Sequence, residues 1–507
     1  MSFVLNRFEA KCAARGCWGC VGVTHARAGG REPQIGARVR WLWLGAVWQN
    51  WGLAIGKRLL ATGGWRAGTW VIAGLLVLSR AVGDEEEFRV YTDHPRLILT
   101  AQRLRLLKRE RERESQRWRQ FDLLVKGGAS LPEPGFGLAL YYAISGDSGV
   151  GQRAVEWALN PKTDDLRQMA LVYDWCQPLL SAQQSAALSA KIRQAIQKRS
   201  GDSIAARRDR VLGWIATADD SKHAEEAPLA ETIQKWWRGE FAPSLGDRRS
   251  APALPDFYAV LEILHAMRDN LKIDLREDQQ NYFAQLPVLL IAANYPAPMQ
   301  APENQFRIPM YQGDAAPDLN RAALARAAGL SMVAYDNNAL ESQFLQGWLI
   351  QDRFLMMTAF GSPYEFLWAN PYQPGLSYYQ LPLVFHDAKS GALFVHAAWD
   401  EDADWFGLYG GVAELFHDGR AGVINQSISG NAKPMPLQLG DASVVFGKTP
   451  FQFSTDGGTT IVIGLKPNQK YLVETDDEEM QEVATDRAGV FSLEFPDGAA
   501  AGVRVHE

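Results

Sequence analysis

HPRLILTAQRLRLLKRE at His94–Glu110 and MALVYDWCQPLLSAQQSAALSAKI at Met169–Ile192 decide how this chain is read. Each is a helix–loop–helix unit of an all-α repeat. Thr100 is placed to cap a helix running through Leu104, Leu107 and Trp118, whose Arg/Glu-rich remainder reads as a solvated face. Ser181 caps a second helix, in which Leu188, Ile192 and Ile196 recur at i, i+4 and i+8 on the buried side.

Outward from these units the helical pattern runs from His94 to about Leu349. Pro255 opens a helix with Phe257, Leu261, Leu264 and Leu271 as its apolar stripe. Asp318–Ala334 and Asn338–Met357 read as two more, separated by the stop signal Asp336-Asn337. Successive helices without strands point to antiparallel pairs around a toroid rather than an α/β fold. The period changes near Gly361. Pro363, Pro371, Pro374 and Pro382 break helices there, and short strand-like runs follow at Ala392–Ala398, Trp405–Tyr409, Arg420–Ile424, Ser443–Phe446 and Thr459–Leu465. Gly-Gly, Asp-Gly and Pro-Asn turns bound them, as in an antiparallel sandwich. Lys470–Val505 repeats the pattern and forms either a small β-module or the last strands of the sandwich. The expected class is therefore α+β multidomain: a leader over 1–83, an α/α toroid over 84–360, a β-sandwich over 361–465 and a C-terminal β-module over 466–507.

Thr69–Ser79 (TWVIAGLLVLS) is an apolar run preceded by Lys57, Arg58 and Arg66 and followed by Ala81-Val82-Gly83 and acidic Asp84–Glu87. That is the layout of a secretory signal, too short for a bilayer span of roughly 20 residues. A periplasmic or secreted protein is expected, with mature chain beginning near Asp84. An uncleaved signal acting as a membrane tether is the alternative. Residues 1–56 lack any period, and the expectation is a mis-called start site. Cys12, Cys17 and Cys20 lie in that leader, where only His25 is at hand to complete a tetrahedral metal site. Cys176 remains as a buried small hydrophobe. Net charge is −6, with no basic stripe, which argues against nucleic acid as a partner.

HPRL, YDW followed by PLLS, and LFVHAAWDEDADWFGLYGG at Leu393–Gly411 together resemble the heparinase II/III-like polysaccharide lyases. The resemblance covers most of the chain beyond the leader. It implies a toroid followed by a β-sandwich, and cleavage of an acidic, uronate-containing glycan by β-elimination. Such a reaction needs a Tyr or His base, a cation or amide on the carboxylate, and an acid for the leaving oxygen. The family's sandwich strand carries histidines two apart. Here it reads ELFHDGRAGVI, with His417 alone beside Asp418, so no metal and no cofactor is carried over.

Tyr258, Glu262, His265 and Asp269 share one face of the helix opened by Pro255, with Tyr258 and His265 as catalytic candidates equipped for proton abstraction and Glu262 as a substrate-binding one. A polar seam between helices is the bland alternative. His223, among Asp219, Asp220 and Glu225, stands nearest to the family's helical histidine, or else at a solvated helix start. His417 and Arg420 would approach the substrate from the sandwich. Asn304 and Arg307, in the helix-breaking segment Pro302–Asp314, would engage a carboxylate. Trp236 and Tyr378 could stack on sugar rings, core packing being the default. Two further readings stay open: a glycan-binding protein of the same architecture without catalysis, and an (α/α)-barrel glycoside hydrolase using two carboxylates about 5–10 Å apart.

Overall fold

The computed structural model describes residues 89–199, 201–219, 225–246, 252–300, 305–311, 318–351, 357–424, 434–476 and 479–507. The expected leader, with its expected secretory signal and Cys12, Cys17 and Cys20, lies outside the described residues, as do His223 and Asn304. The helical part comes first in the chain and the sheets second.

The helices are α1 (Ala101–Glu112), α2 (Gln116–Lys126), α3 (Pro134–Ser145), α4 (Ser148–Leu159), α5 (Leu166–Trp175), α6 (Ala182–Lys198), α7 (Ile204–Thr217), α8 (Glu226–Glu231), α9 (Ala242–Gly246), α10 (Phe257–Ala266), α11 (Gln280–Ala292), α12 (Leu319–Tyr335), α13 (Leu340–Gln351) and α14 (Gly361–Trp368). Between α8 and α9 the chain winds as a wide π-type helix, Thr232–Phe241. Their starts follow side-chain chemistry. The Thr100 side chain accepts from the Arg103 N–H, and Ser181 forms a reciprocal capping box with Gln184, each satisfying an orphan donor of a first turn. Asp165 does the same for α5.

Helices separated in sequence touch in a closed series: α3 against α5, α5 against α7, α7 against α10, α10 against α12, α12 against α14, and α14 back against α3. α3 and α10 are apolar almost throughout because neighbours cover them on more than one side. All of α10 is buried. Gly135 in α3 lets α4 approach closely, since a Cβ there would fall 2.2 Å from the Trp157 ring.

The strands are β1 (Met299–Gln300) and β2 (Gln305–Phe306), a small ribbon, then β3 (Val384–Asp387), β4 (Ala392–His396), β5 (Trp405–Tyr409), β6 (Val412–His417), β7 (Arg420–Val423), β8 (Leu437–Leu439), β9 (Ala442–Phe446), β10 (Phe451–Thr455), β11 (Gly458–Ile463), β12 (Lys470–Thr475), β13 (Glu479–Ala484), β14 (Phe491–Phe495) and β15 (Ala501–His506). Three sheets have the orders β3-β4-β5-β6-β7, β14-β11-β9-β8 and β10-β15-β12-β13. All pairings are antiparallel except β9 with β11. Hairpin turns are built where left-handed backbone is needed: Gly410-Gly411 joins β5 to β6 and Asp418-Gly419 joins β6 to β7, all four at positive φ.

The sheets stack in layers. Phe394, Trp405, Tyr409 and Phe416 of the first sheet join the helical core, while Leu393, Val395, Phe406 and Leu408 pack on Val444, Ile461 and Ile463 of the second. The second sheet then turns Val445, Val462, Phe491 and Leu493 towards Phe453, Tyr471, Val473, Val503 and Val505 of the third. β4 and β5 are buried on both faces, so they read as continuous apolar runs. β15 faces solvent on one side and alternates.

This pairing corrects the division expected at residue 466. β11 pairs with β14 and β10 with β15, so both outer sheets draw strands from each side of that position. Of the two readings of Lys470–Val505, the strands complete sheets begun earlier. Likewise α14 lies beyond residue 360, and the first sheet begins only at Val384. Pro363 does not break α14, because a proline tolerates the first helical turn. Among the described residues no helix is long and apolar enough to cross a membrane.

Candidate functional site

The two sequence motifs of the opening units meet in space. Asp174, from YDW at the end of α5, accepts from the backbone N–H groups of Arg96 at 2.9 and 3.0 Å and of Leu97 at 2.9 Å. The His94 ring lies against the same carboxylate, Nδ1 to Oδ1, at 2.6 Å. Trp175 Nε1 donates to the Leu97 carbonyl at 3.0 Å. Arg96 then reaches the carbonyls of Ile215 and Ala218 at the end of α7. HPRL and YDW are thus two halves of one clasp that ties the first described segment to helices α5 and α7.

A second cluster gathers between the mutually touching helices. Arg167, the second residue of α5, donates to Glu262 at 2.8 Å and to both oxygens of Glu133, just before α3, at 3.3 Å. Arg208, in the second turn of α7, reaches the other oxygen of Glu262 at 2.8 Å. Tyr364 of α14 donates to Glu133. The Arg167 guanidinium carbon lies 5.0 Å from the Phe136 ring, 5.5 Å from Tyr364 and 5.9 Å from Tyr258. Burial alone would raise the Glu262 carboxyl, but Arg167 and Arg208 outweigh it and hold it below the ordinary carboxylate range. Burial would likewise lower Arg167, yet Glu262 and its neighbours keep it firmly charged. The cluster meets solvent through Glu133, whose side chain is 24% exposed, and Arg208, at 15%.

Tyr258 belongs to the same cluster but not as an exposed base. It is buried, its oxygen accepts from Trp368 Nε1 at 3.0 Å, and burial, reinforced by Glu262, pushes the phenol well above its ordinary value. His265 is buried too. Its Nε2 meets the Ser331 carbonyl at 3.0 Å and so carries the proton, and burial lowers its pKa against the opposing pull of Asp269. Trp368 lies against both residues, its ring 4.5 Å from that of His265. The face expected to line a cleft is therefore interior, because α10 has no solvated side.

The remaining candidates are dispersed. His417 is exposed at the β6–β7 hairpin, 2.7 Å from Asp404, whose hydrogen bond and charge, with Asp418, raise its pKa. Arg420 stands opposite it in register across that hairpin. Arg307 is held by the Pro296 carbonyl at 2.6 Å and by Glu401 at 3.1 Å, so its guanidinium is already paired. Trp236 is buried among Trp237 and Phe241, with Arg207 over its ring. Tyr378 is buried against Trp399, and its neighbour Tyr379 carries the exposed ring. Core packing claimed Trp236 and Tyr378 because a large aromatic face gains more from burial than from solvent.

Sequence reasoning passed over Glu133, Arg167, Arg208 and Tyr364. The signal was present: a carboxylate in the apolar stretch FYAVLEILHA demands a buried cation, and Arg167 stands beside the apolar run MALV of α5. Among the described residues no cluster of three or more His, Cys, Asp or Glu side chains could hold a metal ion.

No protein-family profile matches this chain, and no curated protein matches it in sequence. Among solved structures, a glycoside hydrolase overlaps 74% of this chain and 71% of its own at 7% identity, with a TM-score of 0.29. A likeness this low carries no argument about fold or activity.

Proposed function

We propose that this chain is an exported carbohydrate-active protein built like the heparinase II/III-like polysaccharide lyases. On this reading the helical part is an α/α toroid, the stacked sheets are its β-sandwich partner, and the target is a uronate-containing glycan cleaved by β-elimination. The observation that carries the reading is the clasp of His94, Arg96 and Leu97 on Asp174 and Trp175. Two of the three motifs behind the sequence resemblance, HPRL and YDW, are each other's partners. The closed series of contacts from α3 round to α14 supports the toroid.

The sheets meet the helical part at Tyr295, which donates to Glu414 at 2.6 Å, and at Tyr409, which donates to the Pro252 carbonyl just before α10. Acid–base work would fall to the end of the helices where Glu133 and Arg208 meet solvent. A second reading, glycan binding without cleavage, is favoured by the burial of Tyr258 and His265 and by the isolation of His417. Elimination leaves an unsaturated uronate that absorbs in the ultraviolet, so the test is incubation with a panel of uronate-containing polysaccharides. Absorbance growth supports the lyase. New reducing ends without absorbance mean hydrolysis instead, and retention of the glycan with neither product means binding alone.

A further inference from the structure

A cavity of about 310 Å³ lies among α10, α11, α12 and α13 and the short helical turn that precedes α11. Its apolar wall is made by Leu261, Phe283, Leu286 and Met332, all buried. Its polar side carries three carboxylates, Asp274, Glu277 and Asp336, against one guanidinium, Arg276, a formal charge of −2. Arg276 is already committed: it reaches Asp274 at 3.0 Å and Asp336 at 3.3 Å, and lies 4.1 Å from the centre of the Tyr335 ring. Glu277 makes no ion pair among the described residues and is exposed at the rim.

The opening turns of α11 and α13 also border the cavity, through Gln280 and Ser342. Each helix start contributes roughly half a positive charge, about +1 together, which does not cancel the −2. The α11 backbone is interrupted beside the cavity. Pro287 sits inside α11 and has no N–H to give the Phe283 carbonyl, and both residues line the cavity. An apolar wall beside surplus carboxylates asks for a ligand with N–H donors, positive charge and a hydrocarbon body. The volume is at the small end for ligand pockets.

We propose that this cavity binds a compact organic cation, a primary amine carrying a ring or branched hydrocarbon group. The ammonium would sit at Glu277 and Asp336, and the hydrocarbon against Leu286 and Met332.

The test is titration calorimetry on the full chain with cyclohexylmethylamine and its uncharged counterpart cyclohexylmethanol. The amine is expected to bind at least about tenfold more tightly, the difference a charged hydrogen bond makes. Glu277→Gln, at an exposed position, should remove most of that preference while leaving the alcohol unaffected. Ala284→Leu, exposed at the cavity mouth on α11, should block both ligands without changing the melting temperature. Absence of amine binding, equal affinity for amine and alcohol, or binding undisturbed by Ala284→Leu would each overturn the proposal.

Discussion

Both carboxylate oxygens of Asp174 are taken by donors from the segment His94–Leu97, and its side chain is shut off from solvent. Removing it strands two backbone N–H groups, each costing on the order of 1–3 kcal/mol when buried without an acceptor. Asp174→Ala should therefore destabilise the protein by about 3 kcal/mol, read as a lowered melting temperature. A variant that melts with the wild type would show that the clasp is incidental. His396 offers a test in pH. Burial pushes its imidazole down to about 4, while its Nε2 meets the Ala292 carbonyl at 3.0 Å. The unfolded chain, with an ordinary histidine pKa near 6.5, takes up its proton first as pH falls. The contribution is thus fully present above about pH 6.5 and is lost progressively towards pH 4, about 3 kcal/mol in all. His396→Gln keeps a donor for the carbonyl and should flatten that part of the stability–pH curve. An unchanged slope would place the titration elsewhere.

At the scale of elements, much was legible. Capped helices declared themselves through Thr100 and Ser181, and Trp405–Tyr409 is a strand with the bounds its sequence indicates. What misled was α10. Its polar residues at Tyr258, Glu262 and His265 fall on one face, as on a half-solvated helix, yet every side of it is covered. Periodicity reports which residues share a face, not whether that face meets water. The placing of strands into sheets was equally hidden, because β11 finds β14 and β10 finds β15 across long stretches of chain. That pairing makes its own prediction. A chain ending at residue 465 leaves β10 and β11 without those neighbours and exposes Val445, Val462 and Phe453, so it should be insoluble or lose its cooperative melting transition. A soluble, cooperatively melting product would restore an independent C-terminal module.

Over the whole molecule, helices that touch in a closed series carry sheets stacked three deep, and the motifs that gave the resemblance serve the architecture. The candidate site was only half legible: Glu262 and Tyr258 were singled out, but their partners Arg167, Glu133 and Tyr364 come from distant segments that one sequence does not bring together. On the proposed reading, recognition of a uronate must be local, since the net charge of −6 over the full sequence sets an overall field that repels a polyanion. Native affinity electrophoresis in a uronate-containing polysaccharide, before and after chemical reduction of its carboxyl groups, therefore tests the functional reading directly. The protein should be retarded by the native glycan and released when its carboxylates are gone. Free migration in every uronate-containing glycan, or equal retardation by the reduced form, would contradict the assignment of an acidic glycan as its target.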